Sequence, residues 1–197
     1  HLLLSQREKW LSGLGAALAI TWMLAITHWL WPGASMVILP SMGASAVLLF
    51  ALPHAPLSQP WPVLGGHLVS AAIGVAAQKF IPGDYAAALA VGGAITAMYF
   101  LRCLHPPGGA TALMAVIGGS DVAQLGWAFV WQVCLVNVLS ISLAAVLFNS
   151  LFPWRRYPQR WFSQPVSPAP FSFAQEDFAA AITQINTLVD ISPEDLQ

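Results

Sequence analysis

The stretch FLRCLHPPGGATALM, Phe100–Met114, sets an arginine, a histidine, two prolines and two glycines into one of the most apolar parts of an apolar chain. Across the 197 residues, 57% are hydrophobic and 8% charged, and the mean hydropathy is +0.69. Those values lie outside the usual range of soluble domains and describe an all-α integral membrane protein. A membrane span should run smoothly through such a stretch. The break at Pro106 and Pro107 therefore asks for a structural or chemical reason.

Working outward, apolar runs occupy Leu11–Trp31, Ala34–Leu52, Trp61–Phe80, Tyr85–Leu101, Gly108–Ile117 and Leu125–Phe152. Between Trp10 and Phe152 the formal charges are Lys79, Asp84, Arg102 and Asp121, and all but Arg102 stand beside the loop signals IPGD and GGSD. Trp10, Trp29, Trp31, Trp61, Trp127 and Trp154 lie near segment ends, where indole rings favour the boundary between lipid and water. Cys103 and Cys134 read as buried packing thiols. The net charge of -1 says little about partners. No cleavable signal peptide is visible, and a chain that starts at His1 reads as a trimmed fragment.

Arg7 and Lys9 before the first run, with Arg155, Arg156 and Arg160 after the last, place both termini in the cytoplasm by the positive-inside bias. An even number of crossings follows, and six runs supply it. Gly108–Ile117 would rise only about 15 Å as a helix, half of a hydrocarbon core about 30 Å thick. The organisation read from this is a membrane domain over 1–153, a basic proline-rich cytoplasmic linker over 154–170 and an acidic amphipathic helical tail over 171–197.

A similar break occurs earlier. PSMGASAVLL from Pro40 aligns with PPGGATALMA from Pro106, matching Gly43 with Gly109, Ala44 with Ala110, Ser45 with Thr111 and Ala46 with Ala112. Pro40 and Pro106 stand 66 residues apart, as do Trp61 and Trp127. Two repeats of three segments, over 10–80 and 84–152, must have opposite topologies because three is odd. That is the inverted-repeat plan, with half-helices starting near Pro40 and Pro106 and meeting near the bilayer midplane.

Proline suits the first turn of a helix, where its missing N–H would have no intrahelical partner. The next backbone donors are those of Gly108, Gly109 and Ala110, and glycine lets a ligand approach them closely. Unpaired N–H groups and the positive end of the helix dipole favour an anion. Ser41 and Gly43 offer the matching terminus in the first repeat, with hydroxyls from Ser41, Ser45 and Thr111. A helix end contributes about 0.3–1 kcal/mol, less than the desolvation of an unpaired charge costs, so a nearby cation is wanted. Arg102 is the candidate; snorkelling to the interface or bonding loose carbonyls is its alternative role. His105 can line or gate the path or cap exposed backbone. His67 can face the path or bond a neighbouring helix, and of Asn137, Gln132 and Trp131 one is expected to touch substrate while the others join helices. His28 and His54 read as interfacial or loop residues; Gly65, Gly66, Gly92 and Gly93 read as packing glycines.

LHPPGGATAL resembles the signature of the HPP family of integral membrane proteins, with His105, Pro106 and Pro107 matching the motif, and VLFNSLFPWRRYP at Val146–Pro158 resembles the end of that family's membrane region. The resemblance covers roughly residues 5–160. It implies four spanning helices, or six segments once the two short ones are counted, and a small inorganic anion, nitrite first, as substrate. Some bacterial relatives carry paired CBS modules after the membrane region, and LVDISPEDLQ is similar to the connector before them. The alternative function is thus a membrane sensor or scaffold coupled to a cytosolic module. An enzyme is disfavoured, since the spans hold no paired carboxylates, metal-spaced histidines or nucleophile and base pair. Cofactor, metal ion and nucleic acid are not expected. A homo-oligomer, a dimer first, in a bacterial inner membrane is.

Overall fold

A computed structural model describes residues 5–31 and 39–161, Arg160 by its backbone alone. The 171–197 tail, most of the 154–170 linker and the start of the Ala34–Leu52 run lie outside the described residues. Helices α1 (Gln6–Leu30), α2 (Ser41–Ala51), α3 (Pro60–Phe80), α4 (Tyr85–Phe100), α5 (Pro107–Ile117), α6 (Gly119–Leu125) and α7 (Val136–Ser150) follow in order, α7 being preceded by a π-helical segment, Phe129–Leu135. No strand occurs among the described residues.

α1, α3 and the continuous stretch Phe129–Ser150 are long and apolar enough to cross a bilayer. Their outward faces are as apolar as their packed ones: Leu14, Leu18, Trp22, Leu139, Leu143 and Leu147 are exposed while Met23, Val63, Phe129 and Ile141 are buried. Helices that are hydrophobic all round belong in lipid. α2 and α5 are the two short ones, 11 residues each, and rise about 16 Å.

Both short helices begin where the prolines predict. Pro40 is the N-cap of α2, and Pro106 and Pro107 are the N-cap and first residue of α5. α6 forms where GGSD implies only a loop, and the Leu125–Phe152 run opens with a π segment ahead of α7 rather than as one regular helix. α1 packs on α2 and α7, while α4 packs on α5 and α3; α2 and α5 also touch each other.

One end of the bundle is tied by polar side chains. Arg155 donates to Glu8 at the start of α1, to Asn149 Oδ1 of α7 and to the carbonyl of Phe50 in α2. Asn149 Nδ2 donates to the Leu49 carbonyl at 3.1 Å, and Ser58 Oγ to that of Leu48 at 3.1 Å. Three successive carbonyls of the last turn of α2 thus receive side-chain donors, that of Leu48 in addition to its bond from the Leu52 N–H at 3.1 Å. Trp154 Nε1 bonds Glu8 at 2.6 Å, Tyr157 OH bonds the Ser58 carbonyl at 2.8 Å, and Arg7 stacks over the Trp154 ring. Arg155 is buried, and removal of one partner of a buried ion pair costs far more than an exposed pair gains.

Candidate functional site

The segment between α4 and α5 runs beside the first half of α3, level with its small residues. Trp61 Nε1 bonds the Leu101 carbonyl at 3.1 Å. A methyl group added at Gly65 would lie 2.9 Å from Cys103 Cβ, one at Gly66 2.6 Å from His105 Cβ, and one at Gly74 2.6 Å from the Ala112 carbonyl. Only residues without a side chain there let backbone and helix touch. Cys103 and His105 of this non-helical segment are buried in protein, the setting in which irregular backbone is tolerated inside a bilayer.

Close approach carries His105 inward to His67, the eighth residue of α3 and about 11 Å along a helix about 31 Å long. The two rings meet edge to face with centroids 4.9 Å apart. Ser45 Oγ of α2 lies 2.8 Å from His67 Nε2 and 2.9 Å from His105 Nε2. His67 Nδ1 lies 2.7 Å from Thr111 Oγ1 of α5, and Thr111 Oγ1 lies 2.8 Å from Ser41 Oγ. His105 Nδ1 bonds the Leu57 carbonyl at 2.8 Å. Ser45, His67, His105 and Thr111 are fully buried, and among the described residues no buried side-chain nitrogen or oxygen lacks a partner. Ser45 and Thr111, the hydroxyls matched by the sequence repeat, therefore hold opposite nitrogens of one imidazole.

Other expected site residues divide. Pro107 and Gly108 are buried, Gly109 half-buried, and Pro106, Ala110, Gly43 and Arg102 exposed. The backbone donors expected to be free are engaged: Gly108 N–H bonds the His105 carbonyl at 2.8 Å, Gly109 that of Pro106 at 3.1 Å, Met42 that of Leu39 at 2.9 Å and Gly43 that of Pro40 at 3.1 Å. These are one-turn bonds that tighten a helix start and consume its donors. The glycine that fits closely is Gly108, whose added methyl would meet Ser70 Oγ at 2.8 Å; at Gly109 the nearest atom is Val91 Cγ1 at 4.0 Å, and at Gly43 nothing lies within 4 Å.

Arg102 stands outside the cluster, at the end of α4, with a left-handed backbone of φ 52°. It borders a surface recess of about 670 Å³ with Trp61, Gln59, Pro158 and Trp161. Asn137 accepts from the Leu39 N–H at 3.1 Å and donates to the Val133 carbonyl at 2.9 Å, steadying the backbone that leads into Pro40. Trp131, Gln132, His28 and His54 are exposed. Gly65 and Gly66 are packing glycines as expected; Gly92 has open space and Gly93 meets only Ile73, at 3.4 Å. Both cysteines are free and buried. No group of three or more histidine, cysteine, aspartate or glutamate side chains among the described residues is placed to hold a metal ion.

The family described as HPP, transmembrane region, matches residues 3–158. The chain belongs to the HPP transmembrane family. Two proteins of Dictyostelium discoideum, each named a transmembrane protein, are 35% identical over 133 residues and 37% identical over 131 residues. Those matches cover 65% and 64% of this HPP chain but 42% and 46% of the relatives, so the chain spans less than half the length of either. No solved structure matches it.

Proposed function

We propose that this HPP protein carries a small inorganic anion, nitrite first, across the bilayer at the junction of α2 and α5. The observation that carries the reading is the meeting of two 11-residue, proline-initiated helices at a buried cluster of Ser41, Ser45, Thr111, His67 and His105. Because the first-turn backbone donors hold turn carbonyls, the donors an anion would meet are hydroxyls and imidazole N–H groups. The cluster is closed to solvent, which corresponds to an occluded state: α2 and α5 part to admit the ion and re-form these bonds after it leaves.

The packing supports an inverted repeat. Exchange of α1 with α4, α2 with α5 and α3 with α7 turns the contacts of α1 with α2 and α7 into those of α4 with α5 and α3. In this reading the end that gathers Arg7, Lys9, Arg102, Arg155 and Arg156 faces the cytoplasm of a bacterial cell, and the protein works as a homodimer with one pathway per protomer. Nitrite uptake into proteoliposomes, competed in turn by nitrate, chloride and formate, tests the function. Saturable uptake above protein-free liposomes is expected, with nitrate the strongest competitor. Its absence overturns the reading and favours a membrane module that reports to further segments, the reading to which the greater length of the relatives gives weight.

A further inference from the structure

The hydrogen positions in the buried cluster follow from its chemistry. A carbonyl only accepts, so His105 Nδ1, 2.8 Å from the Leu57 carbonyl, carries hydrogen. With His105 neutral, its Nε2 accepts, and the hydrogen comes from Ser45. The one hydroxyl hydrogen of Ser45 is then committed, so His67 Nε2 donates to Ser45, and His67 Nδ1 accepts from Thr111. Ser41 in turn donates to Thr111. Every hydrogen in this row points the same way, toward Leu57.

A second state fits the same heavy atoms. With one added proton, His67 Nδ1 donates to Thr111, and Thr111 turns its own hydrogen to the Pro107 carbonyl, 3.4 Å away. If the charge sits on His105 instead, only Ser45 reverses, accepting from His105 Nε2 and donating to His67 Nε2. All bonds are kept, and no heavy atom has to move. The row therefore holds one excess proton shared by two imidazoles through one hydroxyl.

That capacity answers the charge problem of the site. No lysine, arginine or carboxylate side chain among the described residues bonds into the cluster, and the other titratable groups beside it are neutral thiols: Cys134, whose Sγ is 3.5 Å from the His67 carbonyl, and Cys103, two residues before His105. α2, α4 and α5 bring only apolar, hydroxyl and thioether groups to it, Met98 of α4 meeting Ser70 at 3.8 Å. An unpaired anion is expensive in such surroundings, whereas an anion beside an imidazolium is a neutral pair.

We infer that the transported anion travels with one proton, held on the row of His67, Ser45 and His105, so that the transport cycle moves no net charge. The inference rests on the anion-transport reading. Its balance is simple: a proton from water on one side is taken up by an imidazole as the anion arrives, and is released to water on the other side as the anion leaves.

The test uses the full chain in liposomes that contain a pH-sensitive dye, with sodium nitrite as probe, potassium and valinomycin to set the membrane potential, and protein-free liposomes subtracted for leakage of the free acid. Lumenal acidification of about one proton per nitrite is expected, at a rate that changes less than twofold when the potential is reversed. Ser45→Ala and His105→Gln are expected to lower this proton-coupled uptake at least tenfold. Uptake that follows the potential and leaves the lumenal pH flat overturns the inference while anion transport stands; no uptake above protein-free liposomes overturns both. Variants that keep the wild-type ratio and rate overturn the assignment to this row. Should either variant fail to reconstitute, the wild-type ratio alone decides.

Discussion

His67 and His105 share one hydroxyl, their Nε2 atoms lying 2.8 and 2.9 Å from Ser45 Oγ, so a single small residue of α2 joins α3 to the segment ahead of α5. Ser45→Ala removes both bonds at once and leaves two buried ring nitrogens without partners. At about 1–3 kcal/mol for each stranded group, a loss of about 2–6 kcal/mol is expected. Thermal unfolding in detergent, followed by tryptophan fluorescence, should show a clear fall in the midpoint. A change no larger than that of Ser41→Ala, which removes one bond, would contradict the shared role.

Glycines around the site should separate sharply. Gly66→Ala drives a methyl group to 2.6 Å from His105 Cβ, and Gly108→Ala drives one to 2.8 Å from Ser70 Oγ and 2.9 Å from the Gly66 carbonyl. Overpacking of this kind costs about 1–3 kcal/mol. Gly43→Ala and Gly109→Ala meet open space or ordinary contact in the first turn of a helix, where alanine gains at most the helix-interior value of about 1 kcal/mol over glycine. The first pair should melt earlier than wild type and the second pair no earlier. Equal behaviour of all four would mean that α3 and the α4–α5 segment do not touch as described.

At the polar end, Arg155→Met is expected to destabilise by about 3–5 kcal/mol, because it strands Asn149 Oδ1 and the Phe50 carbonyl and leaves the half-buried Glu8 carboxylate with Trp154 as its donor. Arg155→Lys should recover little, since a point charge with one head cannot reach three separated acceptors as the guanidinium fork does. Glu8→Gln keeps an acceptor for Arg155 and Trp154 and should lose less. Melting midpoints ordered Glu8→Gln above Arg155→Lys above Arg155→Met are the expected result; a lysine variant as stable as wild type would show that charge alone holds this end.

How much of this was legible depends on how local the cause is. The starts of α2 and α5 could be read from Pro40 and Pro106 because proline at a helix start has a reason within its own turn. His67 and His105 stood out as polar groups in apolar runs. That Ser45 joins them could not be seen, because the pairs are 22 and 60 residues apart and depend on how three segments stack. Arg155 read as a topology signal, yet it caps α2 from 105 residues away. The signal that could have found it was the early end of α2 at Ala51, which leaves carbonyls in need of donors, together with Asn149 in the last turn of the final span and Arg155 just beyond it. Free N–H groups at Gly108 and Gly109 were expected from an ideal helix end, whereas the tight turns at His105 and Pro106 absorb them.

Arg102 provides the remaining contrast. In sequence it is the cation nearest the break, four residues ahead of Pro106, but its side chain is exposed beside a surface recess while the buried cluster holds no fixed charge. An exposed cation acts by raising the local anion concentration, an effect that salt screens over about 8–10 Å at physiological strength. If the proposed nitrite transport holds, Arg102→Gln should therefore raise the half-saturating nitrite concentration only about two- to threefold at low salt and by nothing measurable in a high-salt, non-competing buffer, with the maximal rate unchanged. Arg102→Lys should match wild type, since charge and not fork geometry does the steering. Loss of tenfold or more that persists in high salt would instead place Arg102 in direct contact with the anion during the cycle, and would require the α4–α5 segment to move by far more than side-chain rotation.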